Sequence, residues 1–300
     1  MLVKLLVLRK RLKRDKLHIQ WYPGHIAKAE RKLKEQLKLV DVVVEILDAR
    51  LPFSSRYDDF ETLFKDKPRI LLLNKSDLVD DAELESWIAI LKNETNCPVF
   101  KYSAKTSKNT NFIIKKIIEQ GQPKIKALMA KGLLKRAVRV MVVGLPNVGK
   151  SSIINHFTKT SKTITGAKAG VTRQQQWVRI NPDIDLLDTP GIIPMKLDDQ
   201  ERAKKLAFVN SVSENAYSSE IAAEELIFTL VSKYEIQVKD YYKLLPEQDI
   251  TIENIAKSRN WIVSGGEADT VRSAQFILKD FREGKIGKFI LDDLKYVGQR

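Results

Sequence analysis

Short apolar runs alternate with amphipathic segments along the first two thirds of this 300-residue chain. Strands buried on both faces of a sheet are apolar throughout, whereas a helix packed on a sheet is apolar on one side only. The runs that predict strands lie at 41–48, 69–73, 99–102, 138–143, 177–180 and 184–187. The segments that predict helices lie at 26–40, 81–92, 109–120, 124–135 and 149–158. This alternation predicts an α/β domain with a mostly parallel sheet and helices on both faces.

The strand pattern stops near residue 198, and a helical pattern follows it. The helices predicted there lie at 201–208, 219–233, 250–258 and 268–282, and Ser264-Gly265-Gly266 separates the last two. We therefore expect a basic N-terminal arm at 1–18, an α/β domain at 19–197 and a small all-α domain at 198–300.

Positive charge is concentrated near the N-terminus. The net charge of the chain is +14, of which residues 1–38 contribute +9, whereas residues 201–300 contribute −1. A basic arm is typical of segments that bind polyanions, but a solvated tail and a membrane-surface segment at Leu2–Leu8 are alternatives. The single cysteine, Cys97, fits a reducing compartment. We expect a cytoplasmic protein without a membrane span, or an organellar one only if the arm is a targeting segment.

A phosphate-binding loop (P-loop) follows the strand predicted at 138–143. Gly144-Leu145-Pro146-Asn147-Val148-Gly149-Lys150-Ser151 matches G-x-x-x-x-G-K-S and opens a helix, which is the context that such a loop requires. Backbone N–H groups and the helix N-terminus attract phosphate oxygens. Lys150 is expected to reach the β/γ-phosphates and Ser151 to bind Mg²⁺. The phosphate-binding residues predicted in this loop are Asn147, Val148, Gly149, Lys150, Ser151 and Ser152.

Two further loops predict recognition of guanine. Asn74-Lys75-Ser76-Asp77 follows the strand at 69–73, and the Asp77 carboxylate can accept from both the ring N–H and the exocyclic amine of guanine. Asn74 is expected to tie this loop to the P-loop, and the stem of Lys75 to lie on the base. Ser103-Ala104-Lys105 follows the strand at 99–102, and the Ala104 N–H is the candidate donor to the guanine O6.

Asp188-Thr189-Pro190-Gly191 follows the strand at 184–187 and predicts a γ-phosphate sensor. Asp188 is expected to hold Mg²⁺ through water, and the Gly191 N–H to meet the γ-phosphate. Thr172 is the candidate for the hydroxyl that binds Mg²⁺ only with GTP, and Thr163 and Thr165 are competitors. Together these elements predict a GTPase.

The order of the motifs is circularly permuted. In the usual GTPases the P-loop comes first, whereas here Asn74–Asp77 and Ser103–Lys105 precede it. The expected fold is a P-loop GTPase fold with this permuted order plus a small all-α C-terminal domain. The chain that leaves Asp188–Gly191 runs into the helical region, so we expect nucleotide state to be coupled to that region.

These motifs resemble the YlqF/RbgA family of ribosome biogenesis GTPases. The residues that carry the resemblance are Trp21-Tyr22-Pro23-Gly24-His25-Ile26-Ala27-Lys28-Ala29, Asp48-Ala49-Arg50-Leu51-Pro52, Asn74–Asp77, Gly144–Ser151, Asp188–Ile192 and Gly284-Lys285-Ile286-Gly287. The resemblance implies a role in late assembly of the large ribosomal subunit, GTP hydrolysis stimulated by that subunit and an rRNA-contacting helical domain. Candidate contacts to rRNA are Lys257, Arg259, Arg272, Lys279, Arg282, Lys285 and Lys288.

Ile192 stands where many GTPases have a glutamine that orients the attacking water. An isoleucine side chain cannot hydrogen-bond, and the resemblance suggests His25 as the catalytic substitute. A structural histidine or an RNA contact are the alternatives for His25. In related permuted GTPases an asparagine at the position of Asn147 accompanies use of K⁺, so Asn147 is a candidate K⁺ ligand beside an ordinary loop-stabilising role.

A different function class remains open, namely a regulatory GTPase switch that acts on protein effectors or a membrane surface. Only the apolar stretch Leu2–Leu8 favours it. The partners expected on the first interpretation are GTP or GDP and the large-subunit precursor with its rRNA. We expect a monomer with no stable membrane association.

Overall fold

The computed structural model describes residues 17, 19, 26–57, 60–64, 67–160, 176–188, 191–192 and 199–294. The chain forms two compact units, one of Pro23–Lys196 and one that combines Leu197–Arg300 with Met1–Tyr22. The sequence-based boundary placed residues 19–22 in the α/β domain, whereas Ile19 belongs with the helical unit. Ile19 is buried there, and its N–H donates to Gln200 Oε1 at 3.1 Å. Most of the predicted basic arm, residues 1–16, lies outside the described residues.

The α/β unit is built on a mostly parallel sheet. Its strands are β1 (Val42–Asp48), β2 (Arg69–Asn74), β3 (Val99–Lys101), β4 (Val138–Gly144), β5 (Gln176–Asn181), β6 (Ile184–Asp188) and β7 (Gly191–Ile192). The strand order is β3-β2-β1-β4-β6-β5, and β7 pairs with the end of β4. The only antiparallel pair among these strands joins β5 to β6. Every residue of β1 and β2 is buried, which confirms the interpretation of their apolar runs.

Five helices accompany the strands in the described part of this unit. They are α1 (Ile26–Leu37), α2 (Phe60–Phe64), α3 (Asp81–Thr95), α4 (Thr110–Ala130) and α5 (Lys150–Thr160). The prediction of two separate helices at 109–120 and 124–135 was wrong, because α4 continues through Pro123. Its buried residues Ile113, Ile117, Gly121 and Ile125 form one stripe, and burial of this stripe outweighs the helix hydrogen bond that proline removes.

The helical unit contains α6 (Gln200–Phe208), α7 (Ser219–Tyr242), α8 (Ile252–Ser258) and α9 (Thr270–Arg282). Each of these helices begins at a side chain that accepts backbone N–H groups, from Asp199, Ser218, Thr251 and Asp269 respectively. Helix α7 is longer than predicted and has one non-helical residue, Tyr234, whose ring packs on Phe289 at 4.5 Å. No helix in the described part of the chain is long and apolar enough to cross a membrane.

Candidate nucleotide-binding site

The predicted loops meet at one edge of the sheet. Strands β1, β2, β3 and β4 run parallel, so their carboxyl ends lie side by side. Asp48 at the end of β1 is in register with Asn74 at the end of β2. The P-loop leaves the end of β4 and enters α5 at Lys150. This edge is where parallel α/β sheets bind their ligands.

The P-loop has a backbone that only certain residues tolerate. Gly144 and Gly149 have φ values of 155° and 99°, and Asn147 has a φ of 58°. A Cβ atom at Gly149 would lie 2.2 Å from Asn74 Nδ2, so only glycine fits this close approach. The turn therefore exposes backbone N–H groups ahead of α5, as phosphate binding requires.

Lys150 lies folded over its own loop. Its Nζ donates to the carbonyl of Gly144 at 2.9 Å and to that of Leu145 at 2.7 Å. Burial lowers the pKa of Lys150 to about 8. A phosphate anion beside this ammonium would favour its charged form and raise that pKa again. Ser151 and Ser152 follow at the start of α5, and both are exposed.

Asn74 links all three loops. Its Nδ2 donates to the Val148 carbonyl at 2.7 Å, and its Oδ1 accepts the Ala104 N–H at 3.2 Å. The expected tie between Asn74–Asp77, which we call the guanine loop, and the P-loop is therefore present as a hydrogen bond. The Ala104 N–H thus donates to Asn74 here, and its donation to the guanine O6 stays a prediction. Ser103 closes its own turn, since its Oγ accepts the N–H groups of Lys105 and Thr106.

Asp77 and Lys75 of the same loop differ in the contacts that their side chains make. Asp77 lies half-buried in the short 3-10 turn Ser76–Leu78, and the Ser76 N–H donates to the Tyr102 carbonyl beside it. Lys75 makes two contacts that were not predicted, because its Nζ donates to Asp48 Oδ2 and to the Asn147 carbonyl, both at 2.8 Å. The ammonium thus bridges β1 and the P-loop. The stacking of its stem on the base stays a prediction.

The segment predicted to sense the γ-phosphate lies only partly within the described residues. Asp188 ends β6, and Gly191 pairs with Val143 immediately before the P-loop, so the backbone brings this segment to the same edge. A carboxylate and the Ser151 hydroxyl are hard oxygen donors of the kind that Mg²⁺ takes. His25, Thr172, Thr189 and Pro190, and the competitors Thr163 and Thr165, lie outside the described residues.

Sequence reasoning missed two contacts of the site. Asp48 and Arg50 were part of the family resemblance only, yet an aspartate that ends a buried strand, with an arginine two positions later, was a usable signal. Tyr102 was not predicted as a site residue, but its hydroxyl lies 2.9 Å from both Thr110 Oγ1 and His156 Nδ1. These contacts join the Ser103–Lys105 turn to α4 and to α5.

Comparison with known proteins identifies the family. Residues 139–260 match the family described as 50S ribosome-binding GTPase. Ribosome biogenesis GTPase A of Bacillus cereus is 35% identical over 94% of this chain and 96% of its own length, and that of Priestia megaterium is 38% identical over 92% and 96%. The GNP-bound crystal structure of YlqF from T. maritima is 27% identical with a TM-score of 0.63, over 89% of this chain and all of that one. The chain is therefore a GTPase with permuted motif order that belongs to the ribosome biogenesis GTPase A family.

Proposed function

We propose that this GTPase promotes late assembly of the large ribosomal subunit, binding precursor particles and their rRNA in its GTP-bound state. The observation that carries the GTPase part of the proposal is that hydrogen bonds of Asn74 join the guanine loop to the Ser103–Lys105 turn and to the P-loop. The names and extensive coverage of the relatives supply the ribosomal context. The proposed location is the cytoplasm, and the proposed active form is a monomer.

The proposed nucleotide contacts follow from the loops at this edge. Asp77 reads the guanine, while Asn74, Lys75 and the Ser103-Ala104-Lys105 turn hold the base-binding surface. The P-loop residues Asn147–Ser152 surround the phosphates, with Lys150 leaving its own carbonyls for the β/γ oxygens. Gly191 meets the γ-phosphate from the strand beside β4.

Mg²⁺ is the cofactor that the family generally uses, and we propose Ser151, Asp188 and, in the GTP state, Thr172 as its protein ligands. The ion would neutralise charge on the transferred phosphoryl group. A K⁺ ion is proposed at Asn147, whose left-handed backbone places it at the turn of the loop. If K⁺ binds there, GTP hydrolysis should be faster in KCl than in NaCl, and Asn147→Ala should remove this difference between the salts. Equal rates of the unmodified protein in the two salts contradict the K⁺ site.

His25 is proposed to orient or deprotonate the attacking water, because Ile192 has no group that can do so. The peptide of Ile192 pairs with Gly144, so β7 lies beside the start of the P-loop. The segment with His25 connects Ile19, which packs in the helical unit, to α1 in the α/β unit. Binding of the ribosomal subunit to the helical unit is thus linked to His25 through the continuous chain between Ile19 and α1.

A cationic and aromatic face of the helical unit is the proposed rRNA contact. We call it the α9 face and define it as Trp261, Arg272, Phe276 and Lys279. The Arg272 guanidinium lies over the rings of Trp261 and Phe276 at 5.3 and 5.8 Å, and Lys279 Nζ lies 5.7 Å from the Phe276 ring. Positive groups bind phosphates and aromatic planes stack on bases, so this face matches single-stranded or loop RNA.

The structure divides the seven predicted basic contacts. Arg282 donates to the carbonyls of Ala207 and Phe208 and to Tyr217 Oη, so it holds the helical unit together. Arg282 is therefore the poorest candidate for phosphate binding. The other six residues are exposed: Lys257, Arg259, Arg272, Lys279, Lys285 and Lys288. Arg259 donates to the Tyr241 carbonyl at 3.2 Å, and Lys285 makes a surface ion pair with Glu283 at 2.6 Å that costs little to break.

Sedimentation with purified ribosomal particles tests the proposal. The full chain should sediment with large-subunit precursors in the presence of a GTP analogue, less so with GDP, and binding should weaken as salt rises. The double variant Arg272→Ala, Lys279→Ala should bind the particles more weakly than the unmodified protein at the same salt concentration. Lys233 is an exposed lysine on α7 outside this face, so Lys233→Ala should leave binding unchanged. Absence of sedimentation with either nucleotide, or capture on anionic vesicles instead, would favour the regulatory-switch alternative.

A further inference from the structure

A buried ion pair lies directly beneath the guanine loop. Asp48 at the end of β1 is fully buried, and Arg50 is 2% exposed. Arg50 Nε donates to Asp48 Oδ1 at 2.9 Å and Arg50 Nη2 to Asp48 Oδ2 at 2.8 Å, which is a bidentate pair. The backbone N–H of Arg50 also donates to Oδ1, and the Asp48 N–H donates to Ser55 Oγ. The carboxylate therefore has a fixed orientation.

Lys75 connects this pair to the P-loop. Its Nζ lies 2.8 Å from Asp48 Oδ2 and 2.8 Å from the Asn147 carbonyl. Burial lowers the pKa of Lys75, and the carboxylate of Asp48 opposes that effect. Burial would raise the pKa of Asp48, but Arg50 and Lys75 hold it well below its usual range. The carboxylate of Asp48 is therefore held in its charged form by both cations, and it in turn favours the charged form of Lys75.

Adjacent residues of the guanine loop hold adjacent carbonyls of the P-loop. The Asn74 amide donates a hydrogen bond to the Val148 carbonyl, and the Lys75 ammonium donates one to the Asn147 carbonyl. The two hydrogen bonds differ in the charge of the donor. The Asn74 amide is neutral, whereas the half-buried Lys75 ammonium needs an anion beside it to offset the cost of burying its charge. Asp48 is that anion, and Arg50 fixes its direction.

We propose that Asp48 and Arg50 are positioning residues that hold the Lys75 ammonium between the guanine loop and the P-loop and thereby raise the affinity for guanine nucleotides. Both side chains are at most 2% exposed, so neither can reach a bound nucleotide. Strand β1 pairs with one side of β4, and β7, which holds Gly191 of the predicted γ-phosphate sensor, pairs with the other side, so GDP and GTP should gain equally from the link. This inference rests on the nucleotide site proposed above and does not depend on the ribosomal role.

A double-mutant cycle on the full chain tests the inference. The measured quantities are the dissociation constants of fluorescent GDP and of a non-hydrolysable GTP analogue. Asp48→Asn and Lys75→Met should each weaken both nucleotides on the order of ten- to a hundredfold. If Asp48 acts through Lys75, the double variant binds no more weakly than Lys75→Met alone. Losses that add in the double variant overturn the inference.

The matched control lies at the other end of the same strand region. Asp41 is also buried and also holds a bidentate arginine, Arg136, at 2.6 and 3.0 Å. Asp41→Asn should lower stability but leave both dissociation constants within about twofold. A purely structural role for Asp48 predicts instead that the two asparagine variants behave alike, and that result overturns the inference.

Folding is checked by circular dichroism. If Asp48→Asn does not fold, Arg50→Lys takes its place in the cycle, because lysine keeps the charge but cannot form the bidentate pair. The same non-additivity with Lys75→Met is then required. If the unmodified protein binds neither nucleotide, the proposed nucleotide site fails; if it binds and the cycle is additive, only the positioning role fails.

Discussion

Asn74→Ala removes one side-chain amide that joins the guanine loop to two other loops of the site. The amide joins the P-loop through Val148 at 2.7 Å and the Ser103–Lys105 turn through Ala104 at 3.2 Å. Alanine removes both hydrogen bonds and leaves a buried carbonyl and a half-buried N–H without that partner. Each lost bond costs about 1 kcal/mol, and an orphaned buried group adds about 1–3 kcal/mol.

These contributions sum to roughly 3–5 kcal/mol for the α/β unit. A domain of this size loses about 2–4 °C of Tm per kcal/mol, so the expected fall is roughly 6–20 °C. The affinity for GDP should fall on the order of tenfold or more, because the base loop and the P-loop are no longer held in register. Thermal unfolding followed by circular dichroism and titration with fluorescent GDP measure the two effects.

Asn155→Ala is the matched control, since Asn155 is exposed on α5 in the same unit. Its effect on stability should stay within about 0.5 kcal/mol. An Asn74→Ala protein with the control's Tm and unchanged GDP affinity would refute the reasoning that Asn74 joins the loops.

Three further predictions concern base choice, catalysis and acid stability. Asp77→Asn should lower the affinity for GTP on the order of a hundredfold and favour xanthine nucleotides, because xanthine carries a carbonyl where guanine has its amine. A competition assay that shows unchanged base preference would contradict this role of Asp77. His25→Ala should lower subunit-stimulated turnover on the order of ten- to a hundredfold with GTP affinity intact, and an unchanged stimulated single-turnover rate would rule out a catalytic histidine. Burial alone would raise the pKa of Asp41, but Arg136, the Arg139 N–H and Lys124 lower it to about 2. Because the folded pKa lies below the unfolded one, Asp41 stabilises the protein above about pH 4 and loses that effect as the pH falls towards 2. Asp41→Asn should therefore cost about 2 kcal/mol or more at pH 7 in urea unfolding, and a difference from the unmodified protein that does not shrink in acid contradicts the linkage.

Much of the fold could be predicted because its signals are local. The runs at 41–48 and 69–73 are buried strands, since β1 and β2 are covered on both faces. The context of strand, glycine turn and helix identified the P-loop before any contact was known. The permuted order is a property of the sequence itself, and the parallel strand ends explain why it leaves the loops together.

The differences arise from contacts between residues far apart in the chain. Helix α4 continues through Pro123 because its buried stripe packs on the sheet, and Gly121 in that stripe lies so close to β4 that a Cβ would come within 2.3 Å of Val138 Cγ1. Ile19 belongs to the helical unit through Gln200, which is 181 positions away. Lys75 and Asn147 are 72 positions apart, so no local pattern could have indicated their contact. Secondary-structure propensity is a property of a short segment, but contacts between distant residues depend on how the strands assemble into the sheet.

The central claim is that a permuted GTPase acts on the large ribosomal subunit. The most direct measurement is the single-turnover rate of GTP hydrolysis by the full chain, alone, with large-subunit precursors and with small subunits at matched RNA concentration. We predict acceleration on the order of tenfold or more by the large-subunit particles only, since the catalytic group must be positioned by the particle. Equal rates under all three conditions, or equal acceleration by small subunits, would contradict the account.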